Sequence, residues 1–182
     1  PKSEIKISAY ADDLTLFLKD YDSLQECYRL IAEFGEISGL RINTDKTEIL
    51  PINGTTDGSL GKEVSMIKVT GLYHATAKDK DKAEYTNYSN IINKMTNNFD
   101  MWKGRDLTII GRVQVAKTQG LSLLQYAANV LAVPDWAIQK IKTLLYKFIW
   151  RGPDRVPREI MEKHMVQGGL KIPQIESICH AK

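Results

Sequence analysis

Two adjacent carboxylates, Asp12 and Asp13, follow Tyr10 and Ala11 near the start of a chain of 182 residues. Side by side they repel, and each disfavours ionisation of the other, so a cation is the natural compensation. Oxygen-only donors at a tight turn suit Mg²⁺, which commonly takes one or two carboxylates and leaves its other positions to water and phosphate oxygens. That is the donor chemistry of a two-metal nucleotidyl-transfer site. The plainer alternative is a solvated turn, because Asp tolerates turn geometry at no special cost.

The flanking residues say how the pair would be held. Ile5, Ile7 and Ala9 alternate with polar residues upstream, and Leu14, Leu16 and Leu18 do so downstream. A period of two on both sides of a short acidic break predicts a β-hairpin with the carboxylates at its tip. A helix should follow, with Ser23 and Glu26 spaced as a capping box and Leu24, Cys27, Ile31 and Phe34 on one face. Gly39 is its expected stop. Leu40 to Asn43 and Thr47 to Leu50 read as short extended pieces around a turn at Thr44-Asp45. Residues 51–62 are rich in Gly, Asn, Thr, Ser and Asp and read as a loop. Met66 to Tyr73 is a further strand candidate with Gly71 as a bulge.

The charged run Lys78 to Glu84 marks the expected domain boundary, giving domains 1–77 and 78–182. Beyond it, Tyr88, Ile92, Met95, Phe99 and Trp102 form a helical apolar seam. A second helix is expected through Leu107, Ile110, Val113, Leu121 and Leu124. A third should start near Pro134 and carry Ile138, Ile141, Leu145 and Phe148. These stripes are the packing faces of a helical bundle. Arg151 to Arg158 reads as a Pro-rich basic loop and Gly168-Gly169-Leu170 as a turn. The fold class is therefore α+β.

Composition narrows the function classes. No apolar stretch approaches the ~20 residues that span a bilayer, so no membrane partner is expected. Cys27 sits on the predicted apolar helix face. Cys179 and His180 would open a metal motif only with ligands beyond Lys182, and nothing here forms a disulfide framework. Residues 1–91 carry 11 Lys/Arg against 15 Asp/Glu, and residues 92–182 carry 14 against 7. An acidic half that could hold metal and a basic half that could hold phosphate backbone suit a nucleic-acid partner.

From Tyr10 onward the chain resembles the second half of the palm of reverse transcriptases, in particular those of non-LTR (LINE-type) retrotransposons. Tyr10-Ala11-Asp12-Asp13 matches the family's polymerase motif C, and Gly39-Leu40-Arg41-Ile42-Asn43 with Lys46-Thr47 follows at the usual distance, as motif D. Residues 67–73 stand where motif E, the primer grip, is expected, with Val69-Thr70-Gly71-Leu72 in place of the family's Tyr-Leu-Gly. Trp102-Lys103-Gly104-Arg105-Asp106-Leu107 and Ile110-Gly111-Arg112 look like the family's thumb entry, with Thr108 for the usual Ser. Phe148-Ile149-Trp150 and Gly168-Gly169-Leu170 with Pro173 match later thumb landmarks.

The resemblance implies a partial palm of antiparallel β-hairpins with a helix, followed by an α-helical thumb bundle. It implies RNA-directed DNA polymerisation on an RNA template and DNA primer from dNTPs, using two Mg²⁺ ions, with Mn²⁺ as an alternative. Asp12 would be a metal ligand, Asp13 its supporting neighbour, and Lys46 a proton donor to the departing pyrophosphate. Tyr10 and Gly71 would lie against the primer–template end, and Arg105, Arg112, Lys117 and Lys147 would follow duplex phosphates. Asn43 is expected to bond backbone within its own loop. The family's motifs A and B precede motif C, and only nine residues precede Tyr10, so the chain is expected to be a fragment that does not polymerise alone. The rival reading is a degenerate copy that at most binds nucleic acid. A nuclear site of action follows from how such elements copy at chromosomal DNA.

Overall fold

The computed structural model describes residues 6–10, 13–52 and 61–180. It divides into two compact units, Pro1–Glu84 and Tyr85–Lys182.

In the first unit the alternating runs form an antiparallel pair, β1 (Ile7–Tyr10) and β2 (Asp13–Leu16), in the register Ile7↔Leu16 to Tyr10↔Asp13. Helix α1 (Tyr21–Ser38) follows. Its N-cap is Asp20, not Ser23: the Asp20 carboxylate accepts from the Ser23 backbone N–H at 2.9 Å and from its hydroxyl at 2.6 Å. The capping box is thereby displaced, because Asp is as good a cap as Ser and stands one turn earlier. Glu26 instead pairs with Arg29, which also reaches Glu33. The apolar stripe of α1 is amphipathic as expected, yet none of its residues is buried, and Phe34 and Ile37 are 57% and 90% exposed. Cys27 is half-buried. Gly39 ends the helix at φ 76° and donates to Gly35 O.

Residues 40–43 form no strand. A 3₁₀ turn spans Thr44–Lys46, with the Asn43 side chain accepting from Lys46 N–H at 3.2 Å, as its backbone role required. Strand β3 (Glu48–Ile49) then pairs in parallel with β4 (Lys62–Glu63), so Lys62 belongs to a strand and not to the loop. The remaining expected strand is in fact a hairpin, β5 (Met66–Val69) and β6 (Leu72–Ala75). Thr70 and Gly71 are its two-residue turn, at φ 47° and 92°. Positive φ at both positions is the twist-matched hairpin turn, so Gly71 is a turn residue and not a bulge.

In the second unit the seam of α2 (Lys80–Lys103) is buried at Tyr88, Ile92, Met95 and Phe99. The Tyr88 hydroxyl donates to Ala132 O at 3.0 Å, which satisfies the one polar atom of a fully buried ring. The second expected helix is two, α3 (Ile109–Val115) and α4 (Ser122–Val130), joined by a π-helical turn, Ala116–Leu121. Thr108 caps α3 by accepting from Gly111 N–H at 3.2 Å. α5 (Asp135–Trp150) buries Ile138, Ile141, Leu145, Ile149 and their neighbours. Each such side chain contributes about 1.5–3 kcal/mol. Phe99 stacks on Phe148 with centroids 4.3 Å apart and planes 11° apart. α3 packs on α5, and α4 on α7 (Ile175–His180).

The basic loop after α5 is shorter than expected, since Arg158 opens α6 (Arg158–Glu162). The Gly-Gly turn folds back on α6. Gly168 has φ 79°, and a Cβ on Gly169 would collide with Lys163 O. No helix among the described residues is long and apolar enough to cross a membrane.

Candidate functional site

Two groups of candidate residues stand in the two units. In the first, β1–β2 sets Tyr10 opposite Asp13, with positions 11 and 12 between them. Asp12 lies outside the described residues. Asp13 is exposed, and its carboxylate has no hydrogen-bond or ion-pair partner among the described residues, which leaves it open to a cation. Tyr10 is 73% exposed, which leaves its ring free to pack against a flat partner. Among the described residues no three His, Cys, Asp or Glu side chains stand together to hold a metal. The donor type of Asp13, a hard oxygen with no cationic partner among the described residues, nevertheless fits Mg²⁺.

Lys46 closes the 3₁₀ turn after α1, exposed, with its N–H held by Asn43. Gly71 lies at the β5–β6 turn, where nothing stands within 4 Å of a would-be Cβ. Beside it Lys68 lies 5.7 Å from the Tyr73 ring centroid, so an aromatic is present in this hairpin, two residues after Gly71.

In the second unit, Arg105 lies over the Trp102 ring, 4.5 Å from its centroid. Its carbonyl accepts from Arg151 Nη2 at 2.6 Å, and Arg151 Nη1 stands 3.8 Å from the exposed Asp106 carboxylate. Arg112 has its Nε enclosed without an acceptor. Burial, then the charges of Arg151 and Arg155, hold the Arg112 guanidinium pKa below its usual value. Arg151 is thus bonded to the Arg105 carbonyl, and its charge, with that of Arg155, acts on Arg112. Neither Arg151 nor Arg155 was singled out from sequence, although the basic character of their loop was visible there.

Lys117 is elsewhere. It is half-buried in the π-helical turn, its pKa lowered by burial and by the charge of Lys171. Lys147 is exposed on α5, one turn before Arg151. A further ion pair, Lys142 Nζ to Glu176 Oε1 at 2.6 Å, ties α5 to α7 and leaves that lysine structural.

Residues 1–88 match the family model described as reverse transcriptase (RNA-dependent DNA polymerase). The chain is 25% identical over 194 aligned residues to a Xenopus laevis protein described as Transposon TX1 uncharacterized 149 kDa protein. The alignment covers 99% of this chain and 14% of that protein's length.

Proposed function

We propose that the chain serves templated DNA synthesis: residues 1–88 match the reverse-transcriptase family model and nearly the whole chain aligns with a transposon protein, so the resemblance to a non-LTR (LINE-type) retrotransposon enzyme holds. In this reading it is part of an RNA-directed DNA polymerase that extends a DNA primer on an RNA template from dNTPs. The observation that carries it is the β1–β2 hairpin, which sets Asp13 opposite Tyr10 at the turn end of the matched segment. The segments 1–77 and 78–182 read from the sequence act as palm and thumb, and a nuclear site of action is part of the proposal.

Nucleotide addition needs positioning and charge neutralisation more than covalent work by the protein. Asp12 and Asp13 would hold the metal, Asp12 as the direct ligand and Asp13 as its supporting neighbour. Bound Mg²⁺, or Mn²⁺ in its place, supplies activation of the primer 3′-hydroxyl and neutralisation of the leaving pyrophosphate. Lys46 donates a proton to that pyrophosphate, and its exposed position after α1 leaves it free to approach a triphosphate. Tyr10 packs on the primer–template end and the Thr70-Gly71 turn backs the primer. Arg105, Arg112, Lys117 and Lys147 contact duplex phosphates, which a hybrid of A-like shape presents without regard to base sequence.

Primer extension on an RNA template tests this, using the full-length protein that carries this chain, beside its Asp12→Asn variant. Extension by the parent and a loss of at least about a hundredfold in the variant is the expected result. No extension by either, with salt-sensitive binding of duplex by both, would leave the second reading, a degenerate copy that only grips nucleic acid.

A further inference from the structure

A cleft of about 590 Å³ lies between α4 and the segment that leads into α7. That volume is in the range of sites that hold small organic groups. Gln125 and Asn129, one turn apart on α4, line it, and their side-chain amides have no hydrogen-bond partner among the described residues. Ile172 and Ile178 supply apolar surface. Glu162 reaches the cleft from the end of α6, with the Tyr146 hydroxyl donating to its Oε1 at 3.3 Å. Lys171 is held at the cleft at a cost. Its φ of 52° is a conformation that a side chain disfavours and glycine adopts freely. It persists because Leu170 N–H and Ile172 N–H both donate to Met161 O, at 2.9 and 3.2 Å, while Lys171 N–H donates to Lys163 O at 2.9 Å. Two glycines stand just before it, yet the strained position carries a lysine, and its ammonium has no ion-pair partner among the described residues. Strain kept at a cleft points to contact with a ligand.

We infer that this cleft takes one unpaired nucleotide of an RNA strand and tells ribose from deoxyribose there. Its groups match the parts of a ribonucleotide in kind. A side-chain amide offers a donor and an acceptor side by side, which is what a base edge pairs with. The isoleucines give the face of an unstacked base an apolar contact. An ionised carboxylate only accepts, and the 2′-hydroxyl, which DNA lacks, is the donor that Glu162 takes. With one ammonium and one carboxylate, the cleft suits the single charge of a phosphodiester and repels a triphosphate, so a strand fits it and a free dNTP does not. The lining fixes the class of ligand; that an RNA strand is at hand rests on the polymerase reading. All of these residues lie beyond the segment matched by the reverse-transcriptase family, which ends at residue 88.

The test is fluorescence anisotropy of the 182-residue chain with a labelled single-stranded RNA of about eight nucleotides, and with DNA of the same sequence. RNA should bind about tenfold tighter, the worth of one hydrogen bond to a charged group. Glu162→Ala should bring the ratio of RNA to DNA affinity to about one. Gln125→Ala/Asn129→Ala should weaken RNA binding about tenfold or more with the dependence on salt unchanged, since no charge is lost. Equal affinity of the parent for RNA and DNA, or an unchanged RNA affinity in the α4 double variant, would overturn the site. So would displacement of the labelled RNA by AMP as effectively, per nucleotide, as by unlabelled RNA, which would mark a site for free nucleotides. Should Glu162→Ala unfold the chain by circular dichroism, the α4 double variant decides the matter, because its two positions are exposed and alanine favours a helix. Extension by the full-length protein with no preference of the chain for RNA sinks this site and leaves the polymerase; a preference that Glu162→Ala abolishes, with no extension, does the reverse.

Discussion

Phe99 stands where a side chain at Gly120 would have to go. A Cβ on Gly120 would lie 2.6 Å from Phe99 Cζ, and the ring cannot swing aside because it is buried against Phe148. Gly120→Ala should therefore lower stability by about 1–3 kcal/mol, the usual cost of overpacking. Thermal denaturation of the chain checks this. Phe99→Leu should recover part of the loss in the double variant while being destabilising alone, a non-additivity that contact between the two positions requires.

The Thr70-Gly71 turn predicts a pair of opposite effects. Gly71 has open space for a side chain but a φ of 92°, so Gly71→Ala costs only backbone strain, about 1–2 kcal/mol. Thr70, β-branched at φ 47°, is the poorer fit, and Thr70→Asn supplies the Asn-Gly sequence that this turn prefers. Amide hydrogen exchange across residues 66–75 should slow in Thr70→Asn and quicken in Gly71→Ala. The same direction in both would show that the turn geometry is wrong.

Tyr146 governs part of the alkaline limb of stability. Its ring is buried, its hydroxyl donates to Glu162 Oε1 at 3.3 Å, and burial followed by the Glu162 charge raises its pKa above the ordinary 10.0. The folded chain then keeps the phenolic proton where the unfolded chain releases it. Its contribution is intact below about pH 10 and is lost as pH rises beyond that value. In chemical denaturation at a series of pH values, Tyr146→Phe should lose less stability than the parent between about pH 9.5 and 11.

Lys46 separates proton donation from simple charge. If it protonates the leaving pyrophosphate, Lys46→Gln in the full-length protein should slow single-nucleotide addition by about 10²-fold with little change in dNTP affinity. A rise in KM at constant kcat would make Lys46 a binding group only.

The parts that were legible from sequence are those whose signal is local. Alternation around Tyr10 to Asp13 marked β1 and β2, Gly39 marked the stop of α1, and the steps of three and four from Tyr88 and Ile138 marked α2 and α5. The candidate residues at the hairpin were legible for the same reason. What was missed depends on partners far along the chain or on competition between near-equal choices. Asp20 displaced Ser23 as the cap because both qualify. β3 and β4 are two residues each and pair across a dozen residues, too short for a pattern. Gly71 read as a bulge because Thr70, a poor turn former, concealed the turn. Arg151 meets Arg105 O across 46 positions, which no spacing rule foretells.

The π-helical turn at Ala116–Leu121 has a consequence for how this half of the chain can vary in length. It holds one more residue in its turn than an α-helix would, which rotates everything after it by about 100°. Without that rotation, α3 and α4 would be a single straight rod with one sticky side. With it, the first part presents its apolar side to α5 and the second part to α7. Loss of any single residue from 116–121 would be invisible as a change of composition, yet it would turn one of the two partners' faces to solvent. Apart from Gly120, where Phe99 leaves no room for a side chain, this stretch should therefore accept exchanges of side chain more readily than a change in the number of residues.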